Sequence, residues 1–360
     1  MLIDVIAGAR PNFMKIAPII HEIKSRDINK ITYRLIHTGQ HYDKKMSESF
    51  FDQLNIPKPD INLGVGSGTQ AEQTGGIMVG YEKAIADQRP DVCLVVGDVT
   101  STLACALVAK KAGIIVTHVE GGIRSGDQTM PEEINRMATD SICDYFYTTS
   151  ELANDNLKHL GHKPEQIVYV GNTMIDTLRA NEARLQKPAA WDELGLKEKE
   201  YFVLTLHRPA NVDEAEKLIF FLKIIAEGSR GLPIVFPIHP RTKMIFEKSA
   251  KSFSNIHLVD PLGYLEFNYL VKHSKAMITD SGGITEETTV MGVPCMTLRD
   301  NTERPETITE GTNELVGTNP EKLKPYMDVL FEGNWKKGSI PHLWDGKTSP
   351  RIVDHLLTLI

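Results

Sequence analysis

Long hydrophobic runs are missing from this 360-residue chain. Nothing approaches the ~18 consecutive apolar residues of a transmembrane helix, so no membrane span is expected. Cysteine is scarce. Cys93, Cys105, Cys143 and Cys295 sit in apolar runs such as DVCLVVG and VPCMTL. That pattern reads as buried thiols of a cytosolic protein and excludes a disulfide scaffold. Neither C-x-x-C nor H-E-x-x-H occurs, and no metal site is expected. An excess of positive charge is also lacking. Lys plus Arg number 40 against 47 Asp plus Glu, a net charge of -7. This argues against a nucleic-acid surface but leaves room for a local basic cleft that holds a small anion. The opening MLIDVIAGARPNF has no basic stretch and no small-residue cleavage site, so it reads as a first strand and not a signal peptide. No G-x-G-x-x-G follows that strand, which weakens a nicotinamide-cofactor reading, and GVGSG (64–68) is taken as a mobile loop.

What is present is a long βα rhythm. With 41% hydrophobic and 24% charged residues, the chain has enough apolar material for two cores. Near-continuous apolar runs mark strands at 2–8, 33–39, 92–98, 114–120, 145–149 and 167–171. Such runs fit parallel strands covered on both faces. Helical patterns lie between them, at 43–54 and 100–111 among others. The charged stretch 184–201 looks like a linker, and the rhythm restarts at 201–207, 233–239, 256–261, 276–281 and 293–299. The expected class is α/β, with a Rossmann-like domain over 1–172 and another over 173–348. The amphipathic helix 349–360 has no strand after it and is free to pack back on the first domain.

Ligands of open α/β sheets bind beyond the carboxyl ends of the strands. There the first half places GARPNFMK (8–15) with Arg10 and Lys15, HTGQHYD (37–43), Asp98, EGGIRSGD (120–127) and MPEEINR (130–136). The second half places His207-Arg208, His239-Pro240-Arg241, Asp260, DSGG (280–283) and RDNTERPE (299–306). In TDSGGITEE (279–287) a strand ends at Ser281-Gly282-Gly283 and a helix starts. Glycines let the backbone approach an anion, and the helix N-terminus offers free N–H groups. Glu287, one turn in, is placed to reach a ribose diol. The cations Arg10, Lys15, His207, Arg208, His239, Arg241 and Arg304 suit a diphosphate. The carboxylates Asp98, Glu120, Glu132 and Glu133 suit acid–base work beside it.

GARPNFMK, HTGQH, VVGDVTST, HVEGGIRS, MPEEINR, GNTMID, TLHR, PIHPRT, DPLGYLEF, TDSGGITEE and TERPE follow one another in this order. In that series the chain closely resembles the non-hydrolysing UDP-N-acetylglucosamine 2-epimerases over nearly its whole length. The resemblance implies a two-domain fold of the glycosyltransferase-B type, a cytoplasmic homodimer, an active site in the interdomain cleft and a UDP-sugar substrate, with no metal and no NAD. It implies anti elimination of UDP to 2-acetamidoglucal and re-addition with C2 inverted. It gives Asp98, Glu120, Glu132, His207 and Arg136 as catalytic residues. Arg10, Lys15, Ser281, Gly282, Gly283, Glu287 and Arg304 match nucleotide-binding positions.

Two departures accompany the resemblance. Gln40 and Gln70 match an allosteric substrate site of many bacterial members, but Asp43 and Thr69 stand where another glutamine and an arginine would. The stretch 39–59 looks more like the branch with archaeal members and epimerases of UDP-2,3-diacetamido-glucuronate. That sugar, a hydrolysing epimerase that releases ManNAc and UDP, a glycosyltransferase-B enzyme, and a catalytically dead UDP-sugar sensor are the competing readings.

Overall fold

A computed structural model describes residues 1–26, 30–39, 53–212, 214–238 and 253–359. The chain divides into two compact units, Met1–Ala180 with His342–Ile360, and Asn181–Pro341. The first unit thus runs to Ala180 where sequence placed a boundary at 172, and the return at 342 takes in more than the last helix.

The first unit is a seven-stranded parallel sheet. Its strands are β1 Leu2–Ala7, β2 Thr32–His37, β3 Ile61–Asn62, β4 Val92–Val96, β5 Ile115–Val119, β6 Tyr145–Thr148 and β7 Ile167–Tyr169. The spatial order is β3-β2-β1-β4-β5-β6-β7. β1 therefore lies between β2 and β4, and the chain reverses its winding there. β4 is buried along its whole length, as its unbroken apolar run requires. The helices that position the candidate site are α1 Arg10–Ser25, α2 Gln70–Asp87, α3 Thr100–Lys111 and α4 Pro131–Asp140. The core between sheet and helices gathers Ile6, Ile36, Tyr81, Cys93, Val95 and Phe146. One charge is enclosed with it: Asp4 accepts from Arg34 Nε at 2.8 Å, Arg34 Nη2 at 2.9 Å and Tyr81 Oη at 3.0 Å. Burial is tolerated because each oxygen has donors. All four cysteines are buried and unbonded, and burial pushes the Cys295 thiol up to about 12.

The second unit repeats the plan with six parallel strands. They are β8 Phe202–Thr205, β9 Ile234–Pro237, β10 Ile256–Val259, β11 Ala276–Thr279, β12 Cys295–Thr297 and β13 Asn313–Leu315, ordered β10-β9-β8-β11-β12-β13. Its helices include α5 Ala215–Gly228, α6 Tyr264–His273, α7 Gly282–Met291 and α8 Leu323–Phe331. Alternate residues of each strand feed opposite faces. Phe202, Leu204 and Ile278 pack with Phe221 and Met327, while Tyr201, Val203 and Met277 pack with Leu270 and Val271. Both units are α/β and Rossmann-like, the pair of sheets that a glycosyltransferase-B fold contains.

The stretch 184–201 is not a linker. Leu196 is in the second core, Trp191 and Leu194 pack against it, and Gln186 N–H donates to Leu265 O at 3.4 Å. Its charges hide three apolar anchors. The last helix, α9 Thr348–Leu357, packs on α1 and caps its N-terminus with Asp176, which accepts from Thr348 N at 3.0 Å and Ser349 N at 2.6 Å. The helix expected over 43–54 lies largely outside the described residues. No described helix is long and apolar enough to cross a membrane.

Candidate active site

In the first unit the site residues stand at the ends of β1 and β4, where the winding reverses, and of the adjoining β5. Asn12 fixes the first turn: its Oδ1 accepts from Gly8 N at 3.2 Å and Ala9 N at 3.0 Å, and its Nδ2 donates to Val96 O at 3.1 Å. The ends of β1 and β4 are thereby joined. Arg10 is the first residue of α1, and Lys15 lies further along it. Lys15 Nζ meets Glu120 Oε2 at 2.6 Å. Glu120 is 4% exposed and has φ 70°, a left-handed backbone that is uncommon outside glycine. Strain of this kind costs on the order of 1 kcal/mol and gathers at functional sites. The Glu120 N–H donates to Tyr147 O at 2.9 Å, which holds the turn.

Asp98 follows β4. A Cβ on Gly97 would stand 3.5 Å from both Glu120 Oε2 and Lys15 Nζ, so the Asp98 turn lies against the Lys15–Glu120 pair. The Asp98 carboxylate is bonded to Arg136 Nη2, and its carbonyl accepts from Asn135 Nδ2 at 2.9 Å. Arg136 also meets Glu133 Oε2 at 2.7 Å. Glu133 in turn accepts from Ser125 N, Ser125 Oγ and Gly126 N at 3.0–3.1 Å. Burial alone would raise its pKa, but these bonds and Arg136 hold it below the usual value. Glu133 is therefore committed to the loop 125–126 and to Arg136. Its neighbour Glu132 is exposed in the first turn of α4.

Beneath these turns lies a polar cluster that the sequence did not announce. His118, on β5, is fully buried with Asp140, the last residue of α4. Nδ1 of His118 is 2.7 Å from Asp140 Oδ1 and Nε2 is 2.8 Å from Gly97 O. Asp140 Oδ2 accepts from Gly122 N at 3.0 Å and Arg124 Nη1 at 2.6 Å.

In the second unit, His207 and Ser281 follow β8 and β11, again neighbouring strands at the reversal. The His207 side chain is 62% exposed, with Nδ1 held 2.7 Å from the buried Asp280 Oδ1. Asp280 also accepts from His207 N at 3.0 Å, Arg208 N at 2.9 Å and Asn211 Nδ2 at 3.1 Å. Burial works against its charge, yet the His207 bond and the other donors keep its pKa lowered. The sequence places Asp280 at a strand end within DSGG but gives it no role of its own. An aspartate that ends a buried strand was the available signal.

Helix α7 starts at Gly282 with no side-chain cap and no acidic residue in its first turn. The N-cap Ser281 N–H donates to Thr279 Oγ1 at 3.0 Å, and a helix N-terminus of this kind favours an anion. Gly283 has open space around its Cβ position, while a Cβ on Gly282 would stand 2.5 Å from Glu303 Oε1 and 3.2 Å from Arg299 Nη1. Arg299 is 3% exposed and its Nη2 meets Glu303 Oε2 at 2.6 Å. Its Nε and Nη1 have no partner. Arg304 is buried against Glu286. Glu287 is buried and accepts from Tyr264 Oη at 2.6 Å and Asn268 Nδ2 at 3.4 Å, and burial pushes its pKa up to about 7.

The structure thus brings Lys15, Asp98, Glu120 and Arg136 together in one unit, and His207 and Ser281 onto adjacent strand ends in the other. Gln70 is exposed, and its Oε1 accepts from Thr100 Oγ1 at 3.3 Å. Gln40, His239 and Arg241 lie outside the described residues.

Comparison with known proteins places these features in context. Residues 22–357 match the family model described as UDP-N-acetylglucosamine 2-epimerase. The UDP-N-acetylglucosamine 2-epimerase of Methanocaldococcus jannaschii is 42% identical over 98% of both chains. The crystal structure of the M. jannaschii enzyme in complex with UDP-GlcNAc and UDP superposes with a TM-score of 0.87, covering 99% of this chain and 100% of that one. The UDP-2,3-diacetamido-2,3-dideoxy-D-glucuronate 2-epimerase of Pseudomonas aeruginosa is 40% identical over 88% of each chain.

Proposed function

The chain belongs to the UDP-N-acetylglucosamine 2-epimerase family, and from that premise we propose that it interconverts UDP-GlcNAc and UDP-ManNAc. The C2 proton of such a sugar is not beside a carbonyl, so simple enolisation is closed to it. Breaking the C1–O bond builds positive character at C1 and makes the C2 proton acidic. UDP departs with the bonding electron pair, a carboxylate takes the C2 proton, and a C1=C2 double bond forms. UDP oxygen then re-attacks C1 while a proton returns to the opposite face of C2. The sequence of steps is redox-neutral.

The sugar chemistry is assigned to Asp98, Glu120 and Glu132, with Arg136 orienting Asp98. The diphosphate is assigned to Arg10, Lys15, His207, Ser281 and the N–H groups of Gly282 and Gly283, with Arg304 behind them. The ribose is assigned to Glu287. The observation that carries the reading is the pairing of Asp98 with Arg136 and of Glu120 with Lys15 at neighbouring turns. Two fixed carboxylates and two cations are what a proton transfer beside a departing anion needs.

A second substrate has a specific claim, because the 40% identity to the P. aeruginosa enzyme covers 88% of this chain. The test is to incubate the purified protein with UDP-GlcNAc and with UDP-2,3-diacetamido-glucuronate and resolve products by anion exchange. UDP-ManNAc as the faster product supports the proposal. Faster turnover of the uronate moves the assignment to that sugar, and free ManNAc with UDP would establish a hydrolysing enzyme.

We also assign a cytosolic homodimer. Exposed Val79 on α2 and exposed Ile134 and Met137 on α4 support it, since both helices pack on α3 and leave these apolar side chains outward. Light scattering reads the mass directly; a monomer overturns this assignment.

A further inference from the structure

His118 bridges two parts of the carboxylate-bearing framework, although it is not among the residues that the reaction requires. Its Nε2 faces the carbonyl of Gly97, the residue before Asp98. Its Nδ1 faces Asp140, which ends the helix whose first turn carries Glu132 and whose middle carries Arg136. Asp140 also binds the N–H of Gly122, two residues after Glu120, and the side chain of Arg124. One buried ring therefore joins the three backbone segments on which Asp98, Glu120 and Glu132 stand.

The hydrogen-bond bookkeeping sets its charge. A backbone carbonyl has no proton to give, so at 2.8 Å the Nε2 must carry one. Asp140 already accepts from Gly122 N and Arg124 through its other oxygen, which marks it as the ionised acceptor. Nδ1 at 2.7 Å must then carry a proton too. A neutral imidazole would set a lone pair against one of the two acceptors. The geometry needs no pairing with solvent, since His118 and Asp140 are both 0% exposed.

We propose that His118 is a positioning residue of the epimerisation site, held as an imidazolium that locks the Asp98, Glu120 and Glu132 backbones in register. It rests on the epimerase reading. It contacts no substrate; its work is to keep the turns at Gly97 and Gly122 fixed while a proton moves above them. Both turns are glycines in left-handed backbone, with φ 68° and 81°, a conformation that glycine adopts without strain.

The test uses the full chain. In 15N-histidine spectra of the wild type at neutral pH, one imidazole is expected with both nitrogens protonated, and this signal is lost in His118→Gln. A neutral tautomer at that ring overturns the proposal. In kinetics, His118→Gln is expected to lower kcat for C2 exchange at least tenfold per folded molecule, with UDP affinity changed less than about threefold. A purely structural role would instead lower melting temperature and leave kcat per folded molecule unchanged, which also overturns it. Should His118→Gln not fold, the wild-type spectrum decides alone. Should the wild type fail to exchange the C2 hydrogen of either UDP-sugar, the epimerase reading has failed; the imidazolium signal, still measurable, separates that failure from this one.

Discussion

Asp98 is held by Arg136 and stands at a turn that Gly97 presses against Glu120. Replacing it with Asn keeps the shape and removes the carboxylate charge. Asp98→Asn is expected to lower turnover by roughly 100- to 10,000-fold, the range of general acid–base contributions, with UDP affinity nearly unchanged by calorimetry. Asp280→Asn acts differently. It puts an amide NH2 among donors from His207, Arg208 and Asn211, costing about 1–3 kcal/mol in stability and freeing the His207 ring. Turnover should fall and denaturant midpoint with it. Glu306, two residues beyond Arg304, offers a pH test. It is 6% exposed, its Oε2 has no partner, and burial pushes its pKa up to about 7. Its folded value lies above the unfolded one, so its stabilising term is complete below about pH 4.5 and is lost as pH rises through 7. Glu306→Gln should therefore gain up to ~3 kcal/mol on the wild type between pH 5 and pH 8 in urea titrations. A pH-independent difference would refute the burial account. At this scale the sequence announced residues that follow apolar strands, such as Asp98 and Glu120. It placed Asp280 and Arg299 within strand-end stretches without giving them a role, and it did not announce the His118–Asp140 pair, because a buried polar residue leaves no periodic trace.

At the scale of elements, the turns after strands do the positioning, and glycine serves them for two different reasons. Gly122 has φ 81°, and a Cβ there would stand 2.3 Å from Ala153 O. Gly122→Ala has no room to relax against backbone and is expected to cost more than ~3 kcal/mol or to prevent folding, read by melting temperature. At Gly282 the obstacle is the end of the Glu303 side chain, which can swing away. Gly282→Ala should fold with little change in melting temperature and bind UDP roughly tenfold more weakly, about 1.4 kcal/mol. Near-continuous apolar runs made the long strands legible. β3 and β13 were not, since they span two and three residues and carry polar side chains at the sheet edges. The stretch 184–201 misled because its charges outnumber Trp191, Leu194 and Leu196, the residues that decide its packing.

At the scale of the molecule, two parallel sheets repeat one order of winding, and each sets candidate residues at the ends of the strands where winding reverses. That placement follows from alternating βα segments and is why residues after β1, β4, β8 and β11 are legible in the sequence. The order of motifs along the whole chain carried the family. What sequence could not carry was the division of labour among carboxylates, because Glu132 and Glu133 are adjacent in the chain and only their surroundings separate them. Glu133 is locked to Ser125, Gly126 and Arg136, while Glu132 remains at the surface of α4. The central claim is that this chain removes and returns the C2 proton of a UDP-sugar. Proton NMR of the purified protein with UDP-GlcNAc in D₂O tests it most directly. The account predicts UDP-ManNAc with deuterium at C2 and deuterium entering the remaining UDP-GlcNAc. Formation of UDP-ManNAc with its C2 hydrogen retained would contradict it.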